Sequence, residues 1–469
     1  QTVSRRRVGD VRDGISPVRA TRDLGEREET RELSASFGSL LEDVDLFDPE
    51  LFGMSPGEAL VADPQQRLVM IAALEASLGH YAAEKDAKCG AFAGVSYVDY
   101  DGLLGDDPAD FKSYTASGAS LSVASGRLAF CFNLKGPTLS VDTACSSSLV
   151  AAHLGARAVA DGDCVSAAAA GVNLTLLART TAMFQRAGML APDGRCKTLD
   201  AGADGYVRAE GCEIIMLTAS SDACAVALAG SAVNQDGRSS SLTAPNGPSQ
   251  HAVIRSALSR GNLTAADVGT LQMHGTGTSL GDPIEVGGIL AALGGASRVL
   301  ALGALKSCVG HAECAAGAAG LVRAAATLSH SLDTGVLHLR SVNPHVSNAV
   351  ATAEVGGKVA MPRAAQARGE RDSCEGVSSF AFQGTNAHAV VSEALPARAA
   401  PAKRAVALAE QRCWISPPTL ALTKRAVCGL GGAAARFEIQ TDVDRSPRLA
   451  SILDHRVRGR ALFPAAGFL

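Results

Sequence analysis

Short apolar segments alternate with longer alanine-rich segments between residues 37 and 392, and glycines separate many of them. Short apolar segments bounded by glycine are typical of strands, whereas the alanine-rich segments have the length of helices. The predicted strands include 90–95, 138–141 and 167–174, and the predicted helices include 64–78, 146–160 and 249–259. The sequence holds 49 glycines, which suit the turns between such elements. This alternation predicts an α/β fold.

Two changes in composition predict the domain boundaries. Residues 1 to about 35 are charged and poor in large apolar side chains, which is typical of irregular structure. The stretch 395–404 is rich in proline, alanine and basic residues, a composition typical of linkers. We therefore expect a main domain over 1–394, a linker over 395–435 and the beginning of a second domain over 436–469.

Charge and cysteine usage narrow the class of protein. The net charge is −4 and the pI about 6.2, so we expect no basic surface for nucleic acid. The 12 cysteines are dispersed and form no Cys-x-x-Cys pair, which indicates a reducing compartment, the cytoplasm or a plastid. No apolar run in the sequence approaches the roughly 18 residues that span a bilayer. Because the chain begins at Gln1, we expect its natural N-terminus, with any targeting segment, to lie upstream.

Cys145 stands where the predicted strand 138–141 gives way to the predicted helix 146–160. A helix N-terminus offers unpaired N–H groups and a positive dipole end, which lower a thiol pKa from about 8.5 toward about 3.5–7.5. The same N–H groups can hold an oxyanion when a thioester is attacked. A free cysteine more often packs as a small buried hydrophobe, and we accept that interpretation for the other cysteines. For Cys145 the setting favours a nucleophile.

Cys145 also lies in the stretch Thr-Ala-Cys-Ser-Ser-Ser, 143–148, which resembles the nucleophile motif of type I polyketide synthase ketosynthases. Further stretches resemble motifs of that family and follow in the same order. They are 63–67, 192–197, 234–238, 242–250, 272–278, 281–285, 306–313 and 377–388. The resemblance extends from about Phe37 to Val391. It implies a thiolase-like fold, with two related α/β halves in five α-β-α-β-α layers, and normally a homodimer.

The resemblance implies a condensing enzyme of polyketide or related lipid synthesis. Cys145 would take an acyl chain from a carrier thioester and hold it covalently. A malonyl-type thioester would then lose CO₂, and His274 and His311 would donate hydrogen bonds to the resulting enolate. The substrates would be attached to the phosphopantetheine of an acyl carrier protein, and the enzyme would need no bound cofactor and no metal. Because 395–435 is too short for an acyltransferase domain, a separate acyltransferase would load the extender unit.

The same resemblance implies supporting roles for residues around these three. The backbone N–H groups of Cys145 and Phe382 would form an oxyanion hole, and Phe382 would also lie in the gating loop. Lys306 and Glu313 would form an ion pair that orients the histidines and tunes their protonation. The remaining supporting residues in the matched motifs are Thr276, Thr278 and Asn386.

Several alternatives stay open. A thiol paired with a histidine, such as Cys145 with His274, also serves cysteine proteases. Cys308, His311 and Cys314 have a metal-like spacing, although no fourth ligand stands at a sensible distance along the sequence. A ketosynthase can also transfer acyl groups without elongating them, and the two intact histidines argue against that. The last alternative is a catalytically incompetent docking fragment.

The chain departs from the family's pattern at several positions. Ala381 and Gln383 stand where the gating loop usually has glycine or another small residue, so we expect a change in gate motion or pocket size. Cys308 replaces a usual asparagine and Gln272 replaces a usual acid, and neither change removes a catalytic group. We expect the family's opening strand to lie upstream of residue 1, which would leave the central sheet incomplete.

The end of the chain resembles a second family. His455, Gly459 and Pro464 reproduce the His-x₃-Gly-x₄-Pro motif of polyketide synthase dehydratase domains, which adopt a hot-dog fold. The resemblance implies that His455 is the base that removes the α-proton of a β-hydroxyacyl thioester. Its partner aspartic acid would lie beyond Leu469. The alternative is an exposed histidine in a basic strand. The stretch 411–415 resembles the linker before such a dehydratase.

Overall fold

The computed structural model describes most of the predicted main domain and short segments outside it. The described ranges are 37–76, 78, 88–103, 113–219, 226–294, 299–333, 335–353, 359–364, 366–367, 374–393 and 408–414. Backbone pairing is also described for 2–4, 16–17, 425–429, 436–440, 456–457 and 460–461. His455, Gly459 and Pro464 lie outside the described residues, so the predicted hot-dog fold stays a prediction.

Two large sheets organise the described residues. Their strands, numbered in chain order, are Thr2–Ser4 (β1), Cys89–Gly94 (β2), Thr138–Val141 (β3), Ser166–Asn173 (β4), Gly211–Thr218 (β5), Val226–Gln235 (β6), Val268–Gln272 (β7), Leu300–Gly303 (β8), Val359–Ala360 (β9), Cys374–Phe380 (β10) and Thr385–Glu393 (β11). The first sheet has the order β1-β5-β4-β2-β3, and the second has the order β9-β8-β7-β10-β11-β6.

The two sheets repeat one topology. In the first, β1 and β4 run antiparallel to β5, whereas β4, β2 and β3 are parallel to one another. In the second, β6 and β10 run antiparallel to β11, whereas β10, β7 and β8 are parallel. Leaving β9 aside, both sheets place their strands in the order first, fifth, fourth, second, third. The fold is therefore built from two related halves, which the sequence pattern did not reveal.

Helices cover both faces of each sheet. They are Pro56–Val61 (α1), Pro64–Glu75 (α2), Thr115–Ala119 (α3), Leu121–Cys131 (α4), Ser147–Ala160 (α5), Ala178–Arg186 (α6), Gly247–Arg260 (α7), Gly281–Leu293 (α8), Lys306–Val309 (α9), Ala316–His330 (α10) and Pro344–Thr352 (α11). Among these described helices, none has the length and apolar character that crossing a bilayer requires.

The core confirms the five-layered thiolase-like arrangement. Helices α5 and α10 lie between the sheets, where Leu149 and Leu321 share a buried cluster with Ala169 of β4 and Val377 of β10. Helices α2 and α4 pack on the outer face of the first sheet. Helices α7, α8 and α11 pack on the outer face of the second. Each sheet is thus buried on both faces, as its largely apolar parallel strands require.

The predicted elements form close to their predicted bounds. The strands 90–95, 138–141 and 167–174 form as β2, β3 and β4, and the helices 64–78, 146–160 and 249–259 form as α2, α5 and α7. Helix α2 begins where the Asp63 carboxylate accepts a hydrogen bond from the Gln65 N–H at 2.7 Å and Pro64 supplies the first helical residue. Both are local signals that a sequence displays directly.

One expectation about the first sheet is wrong. We expected its opening strand to be missing, but β1 occupies that place and pairs antiparallel with β5, with Thr2 opposite Ile215. The segment 1–35, expected to be irregular, therefore contains an edge strand. The strand itself is Thr-Val-Ser and contains two β-branched residues that favour strands. The charged residues that follow it concealed this short strand in the sequence pattern.

Part of the predicted linker packs on the main domain. Within the segment 408–414, the carbonyl of Cys413 accepts a hydrogen bond from the buried guanidinium of Arg67. The next residue, Trp414, lies edge-on against Tyr100 with 5.1 Å between ring centroids. This segment is therefore part of the folded unit.

Candidate active site

Cys145 lies in a tight turn between β3 and α5. The turn is a 3-10 helix, Ala144–Ser146, and Ala144 has a φ of +52°. A left-handed backbone is unfavourable for a residue with a Cβ, so this turn stores strain. Two contacts hold it: the Asp142 carboxylate accepts from the Ala144 N–H at 3.0 Å, and the Ser147 hydroxyl donates to the Ala144 carbonyl at 2.7 Å. The turn presents Cys145 at the head of α5.

Small residues let this turn sit deep against the first sheet. Ser148 is 1% exposed and packs on Gly94 of β2 and Gly171 of β4. A Cβ added at Gly171 would come within 2.5 Å of the Ser148 Cβ, and one at Gly94 within 2.5 Å of the Ser148 nitrogen. From the other half, the Ser379 hydroxyl of β10 donates to the Cys145 carbonyl at 2.7 Å. The nucleophile is therefore held by both halves of the fold.

Two histidines converge on the Cys145 sulfur. His311 Nε2 lies 3.1 Å from Sγ, and the ring centroids of His274 and His311 are 5.4 Å apart. The Glu313 N–H donates to His311 Nδ1 at 3.1 Å, and the Phe380 N–H donates to His274 Nδ1 at 3.3 Å. Burial holds the pKa of both imidazoles well below its usual range, so both are neutral. Because each Nδ1 accepts, each ring carries its proton on Nε2.

Two carboxylates at the start of α8 hold the loop that carries His274. Glu285 accepts from the N–H groups of His274 and Gly275, at 2.6 and 2.8 Å. Asp282 accepts from the Gly277 N–H at 3.1 Å, and burial raises the pKa of Asp282 to about 6. The loop is thus fixed through its backbone, which leaves the His274 ring free for chemistry.

The two predicted threonines lie in this same loop. Thr276 is buried, and its hydroxyl oxygen lies 3.4 Å from that of Thr278. The Thr278 hydroxyl accepts from the Gly281 N–H at 3.1 Å, at the first residue of α8. This contact joins the histidine loop to the helix that follows it.

The predicted ion pair between Lys306 and Glu313 is wrong. The Glu313 carboxylate is instead held by Arg208, with Nε to Oε1 at 2.5 Å and Nη2 to Oε2 at 3.1 Å. The cause is a bridge between two chain segments, since residue 208 lies directly beside His311 in parallel register. Lys306 is buried, and burial lowers its pKa, while Glu285 is the acid that most opposes this shift. Lys306 still acts on both histidines through its charge.

The expected lowering of the Cys145 pKa is also wrong. Burial raises the pKa of this thiol to about 12, and the nearby Glu313 charge raises it further. Lys306 and the backbone N–H groups of Phe382 and Cys145 oppose the shift without overcoming it. The helix start is therefore too weak, by itself, to offset the removal of the sulfur from water. Both N–H groups interact with the Cys145 sulfur, and their role in an oxyanion hole stays a prediction.

The predicted gating loop turns between β10 and β11 with Phe382 at its tip, 38% exposed. The Gly384 N–H donates to the Ala381 carbonyl at 2.8 Å, and Gly384 has a φ of +95°. Neither Ala381 nor Gln383 takes a positive φ, so both are tolerated without backbone strain. The Gln383 side chain accepts from the N–H and the hydroxyl of Thr385, at 2.8 and 3.0 Å. The added side chain thus ties the loop to β11.

Asn386, another predicted supporting residue, anchors this loop from below. Its side-chain amide donates to Asn234 Oδ1 at 3.1 Å and to Asp236 Oδ1 at 2.7 Å. Both partners stand at the end of β6, in the stretch 234–238 that resembles a family motif. Asn386 therefore ties this loop to the end of β6.

Within the described part of the chain, Cys145, His274 and His311 are the one group of potential metal ligands whose ligand atoms come together, within 4.8 Å of one another. The spacing of Cys308, His311 and Cys314 does not produce a site, because the Cys314 thiol turns away and donates to the Val172 carbonyl at 2.9 Å.

Sequence reasoning missed several residues of this site. Glu285 and Ser379 lie inside matched motifs, so the signal was present although no role followed from it. Arg208 lies between matched motifs. Its one signal in the sequence is a charged residue between two apolar residues, Val207 and Ala209. Both neighbours are buried in the structure.

A thiolase-like fold that brings one cysteine and two histidines together defines a class, the condensing enzymes of acyltransferase type. Residues 6–223 match the family described as the N-terminal domain of β-ketoacyl synthase, and residues 225–340 match its C-terminal domain. The chain belongs to the β-ketoacyl synthase family, and its relatives are type I polyketide synthases.

Solved ketosynthase structures share the fold. The oxazolomycin ketosynthase domain OzmH KS7 of Streptomyces albus JA3453 superposes with a TM-score of 0.74 at 32% identity, covering 83% of this chain and 71% of that one. The ketosynthase from module 6 of the bacillaene synthase of Bacillus subtilis 168 gives a TM-score of 0.72 at 29% identity, covering 82% of this chain and 68% of that one.

Curated relatives are much longer than this chain. The spectinabilin polyketide synthase system protein NorA' of Streptomyces orinoci is 40% identical over 464 residues, which is 96% of this chain and 12% of that protein. Erythronolide synthase EryA2 of Saccharopolyspora erythraea is 40% identical over 454 residues, 90% of this chain and 12% of that protein. These relatives are bacterial, which gives no support to a plastid location.

Proposed function

We propose that this chain catalyses the decarboxylative Claisen condensation of an acyl group on Cys145 with a carrier-bound malonyl-type extender. The observation that carries the proposal is the convergence of two neutral imidazoles, each protonated on Nε2, beside the Cys145 sulfur. A protease needs a histidine that accepts the thiol proton, whereas His311 presents a donor here. Two fixed donors suit an enolate better than a peptide bond.

In the first step, the Cys145 sulfur attacks the carbonyl of an acyl thioester on the phosphopantetheine of an acyl carrier protein. The new S–C bond forms at Cys145, the C–S bond to the carrier breaks, and the thiol proton ends on the departing carrier sulfur. The N–H groups of Cys145 and Phe382 stabilise the oxyanion in between.

In the second step, the bond between the malonyl carboxylate and its α-carbon breaks, and the electron pair enters the enolate as CO₂ leaves. The Nε2–H groups of His274 and His311 stabilise the enolate oxygen. The α-carbon then attacks the acyl carbonyl, and the Cys145–acyl bond breaks. The released Cys145 thiolate takes up a proton from solvent, and the product is a β-ketoacyl thioester on the carrier. Lys306 opposes protonation of both histidines through its charge.

The test combines two measurements on the full protein with the Cys145→Ala variant as control. Intact mass after incubation with a panel of acyl thioesters should show one acyl adduct, absent from Cys145→Ala. CO₂ release from malonyl-carrier should accompany formation of the β-ketoacyl product. An adduct without CO₂ release would identify a non-elongating acyltransferase. The absence of both the adduct and CO₂ release would support the alternative that the chain is a catalytically incompetent docking fragment. Peptide cleavage blocked by thiol alkylation would instead support the protease.

We also propose that the chain divides into a ketosynthase over 1–394, a linker over 395–435 and the start of a hot-dog dehydratase over 436–469. Support comes from the motif around His455 and from the stretch 395–404, whose proline, alanine and basic residues are typical of a linker. The test is dehydration of a 3-hydroxyacyl carrier thioester by the full-length protein. His455→Ala should abolish it while condensation continues, and unchanged dehydration in that variant would exclude this role.

The proposed partners are an acyl carrier protein, a separate acyltransferase and a second copy of this chain. The homodimer is supported by the edge of β3, which pairs on one side only among the described residues, where Leu139 is exposed and the adjacent α4 exposes Phe130. The hydroxyls of Ser125 and Ser140 lie 2.9 Å apart and join α4 to β3. Sedimentation should give twice the chain mass, and Phe130→Asp together with Leu139→Asp should give monomers. A wild-type monomer would exclude the homodimer.

A further inference from the structure

Glu313 has a strained backbone conformation, and this conformation lets its N–H hydrogen-bond to the His311 ring. Glu313 has a φ of +43°, an unfavourable conformation for a residue with a side chain. This conformation points the Glu313 N–H at His311 Nδ1, 3.1 Å away. Strained conformations of this kind persist only where surrounding contacts hold them. The contact that holds this one lies on the Glu313 side chain.

Arg208 clamps that side chain. Its guanidinium donates to both Glu313 carboxylate oxygens, at 2.5 and 3.1 Å, and its remaining arm donates to the Thr181 hydroxyl at 2.9 Å. The guanidinium also lies over the Phe184 ring, 5.2 Å from the centroid. Arg208 and Glu313 are 3% and 4% exposed. A planar fork held at three points has little freedom to shift.

The backbone of the same segment holds the other end of His311. The His311 N–H donates to the Val207 carbonyl at 2.8 Å, and the Ala209 N–H donates to the His311 carbonyl at 2.9 Å. The segment 207–209 therefore fixes His311 through its backbone and Glu313 through the Arg208 side chain.

We propose that Arg208 is a positioning residue for condensation, which holds Glu313 so that its N–H stays on His311 Nδ1 and the ring proton stays on Nε2. This inference rests on the proposed function, because the Nε2–H is the donor that the enolate needs. With the clamp loosened, Glu313 can relax from its strained backbone and withdraw its N–H. The ring can then carry its proton on Nδ1, and the nitrogen facing Cys145 loses its donor.

The charges of Arg208 and Glu313 also affect the pKa values of the groups around Cys145. Glu313 raises the pKa of the Cys145 thiol, and the Arg208 charge lowers the pKa of His311. The phenols of Tyr97 and Tyr206 lie in the same field, and their pKa values are raised by burial and by Glu313. An unpaired Glu313 would act on all of these groups. The Arg208 charge thus offsets part of the effect of a buried carboxylate on its neighbours.

The test is Arg208→Lys, which keeps the positive charge and removes the planar fork. Arg127→Lys is the matched control, because Arg127 is also buried and paired with a glutamate, Glu58, at 2.5 Å. In protein labelled with ¹⁵N-histidine, wild type and the control should show His311 protonated on Nε2 alone. Arg208→Lys should show a mixture of the two tautomers, with the His311 signals assigned from His311→Gln.

We expect the rate of condensation to fall in the variant in which the His311 tautomer changes. CO₂ release from malonyl-carrier should fall by about 10- to 100-fold in Arg208→Lys relative to the control, since outright loss of an oxyanion donor costs about 10²–10³. Melting temperatures should fall similarly in both variants. An Nε2-only signature in Arg208→Lys, with CO₂ release within about twofold of the control, would overturn the proposal.

If Arg208→Lys does not fold, the double variant Arg208→Met/Glu313→Gln answers the same question, because it removes the clamp without leaving a buried charge unpaired. The same two readouts and the same criteria apply to it. If wild type itself releases no CO₂, the proposed function fails, and the ring signature alone still decides whether Arg208 sets the tautomer.

Discussion

Gly171→Ala should displace the nucleophile turn, and the structure sets the size of the effect. The added Cβ would meet the Ser148 Cβ at 2.5 Å and the backbone Cα of Ala315 at 3.0 Å. Carbon atoms pack at about 3.5–4.0 Å, so Ser148 must move by about 1 Å. Overpacking of this kind costs about 1–3 kcal/mol of unfolding free energy. Because Ser148 stands three residues after Cys145, the sulfur should move with it.

A displacement of about 1 Å can reduce a rate by about 100-fold. We therefore expect acylation of Cys145, followed by intact mass over time, to slow by about that factor in Gly171→Ala. The matched control is Gly287→Ala in α8, where an added Cβ has nothing within 4 Å. It should gain about 0.5–1 kcal/mol in urea unfolding, since alanine suits a helix interior better than glycine. Wild-type acylation in Gly171→Ala would refute the reasoning.

Further predictions concern the donors, the thiol and the linker. His274→Ala should reduce CO₂ release by about 10²–10³-fold while acylation of Cys145 changes little, because a donor to the enolate is lost; equal losses in both assays would contradict this. Because the Cys145 pKa is raised to about 12, its alkylation rate should rise about tenfold per pH unit from pH 6 to 9, and a plateau below pH 8 would show a lower pKa. Trp414→Ala should lower the free energy of unfolding by about 1–2 kcal/mol in urea titrations, because its ring packs on Tyr100. An unchanged free energy of unfolding would mean that this contact does not stabilise the fold.

Local signals made much of the fold predictable. The caps of α2, the apolar run of β2 and the serines after Cys145 are all encoded within a few residues of the elements they define. Motif resemblance then supplied His274 and His311, whose rings do meet the Cys145 sulfur. These successes share a cause, since each depends on residues that are close in sequence or on a motif that carries its own context.

The errors arise where distant segments meet. The partner of Glu313 depends on the bridge between residue 208 and His311, and no sequence pattern displays that pairing. The Cys145 pKa depends on how completely the fold surrounds the sulfur, which a helix-start argument leaves out. The short strand β1 likewise forms because β5 offers it an edge. Tertiary contacts decided each of these three features.

The repeated topology divides the chemistry between two copies of one structural unit. Cys145 follows the third strand of the first half, and Lys306 follows the third strand of the second half, so the two occupy equivalent places in the repeated topology. In the proposed condensation, the acyl group would be loaded on the first half, and the two histidine donors belong to the second half. Neither half alone would then hold all the groups that the proposed reaction uses. The Ser148 hydroxyl of the first half accepts a hydrogen bond from the Ala318 N–H of the second half. We therefore expect activity to depend on correct packing of the two halves of the chain.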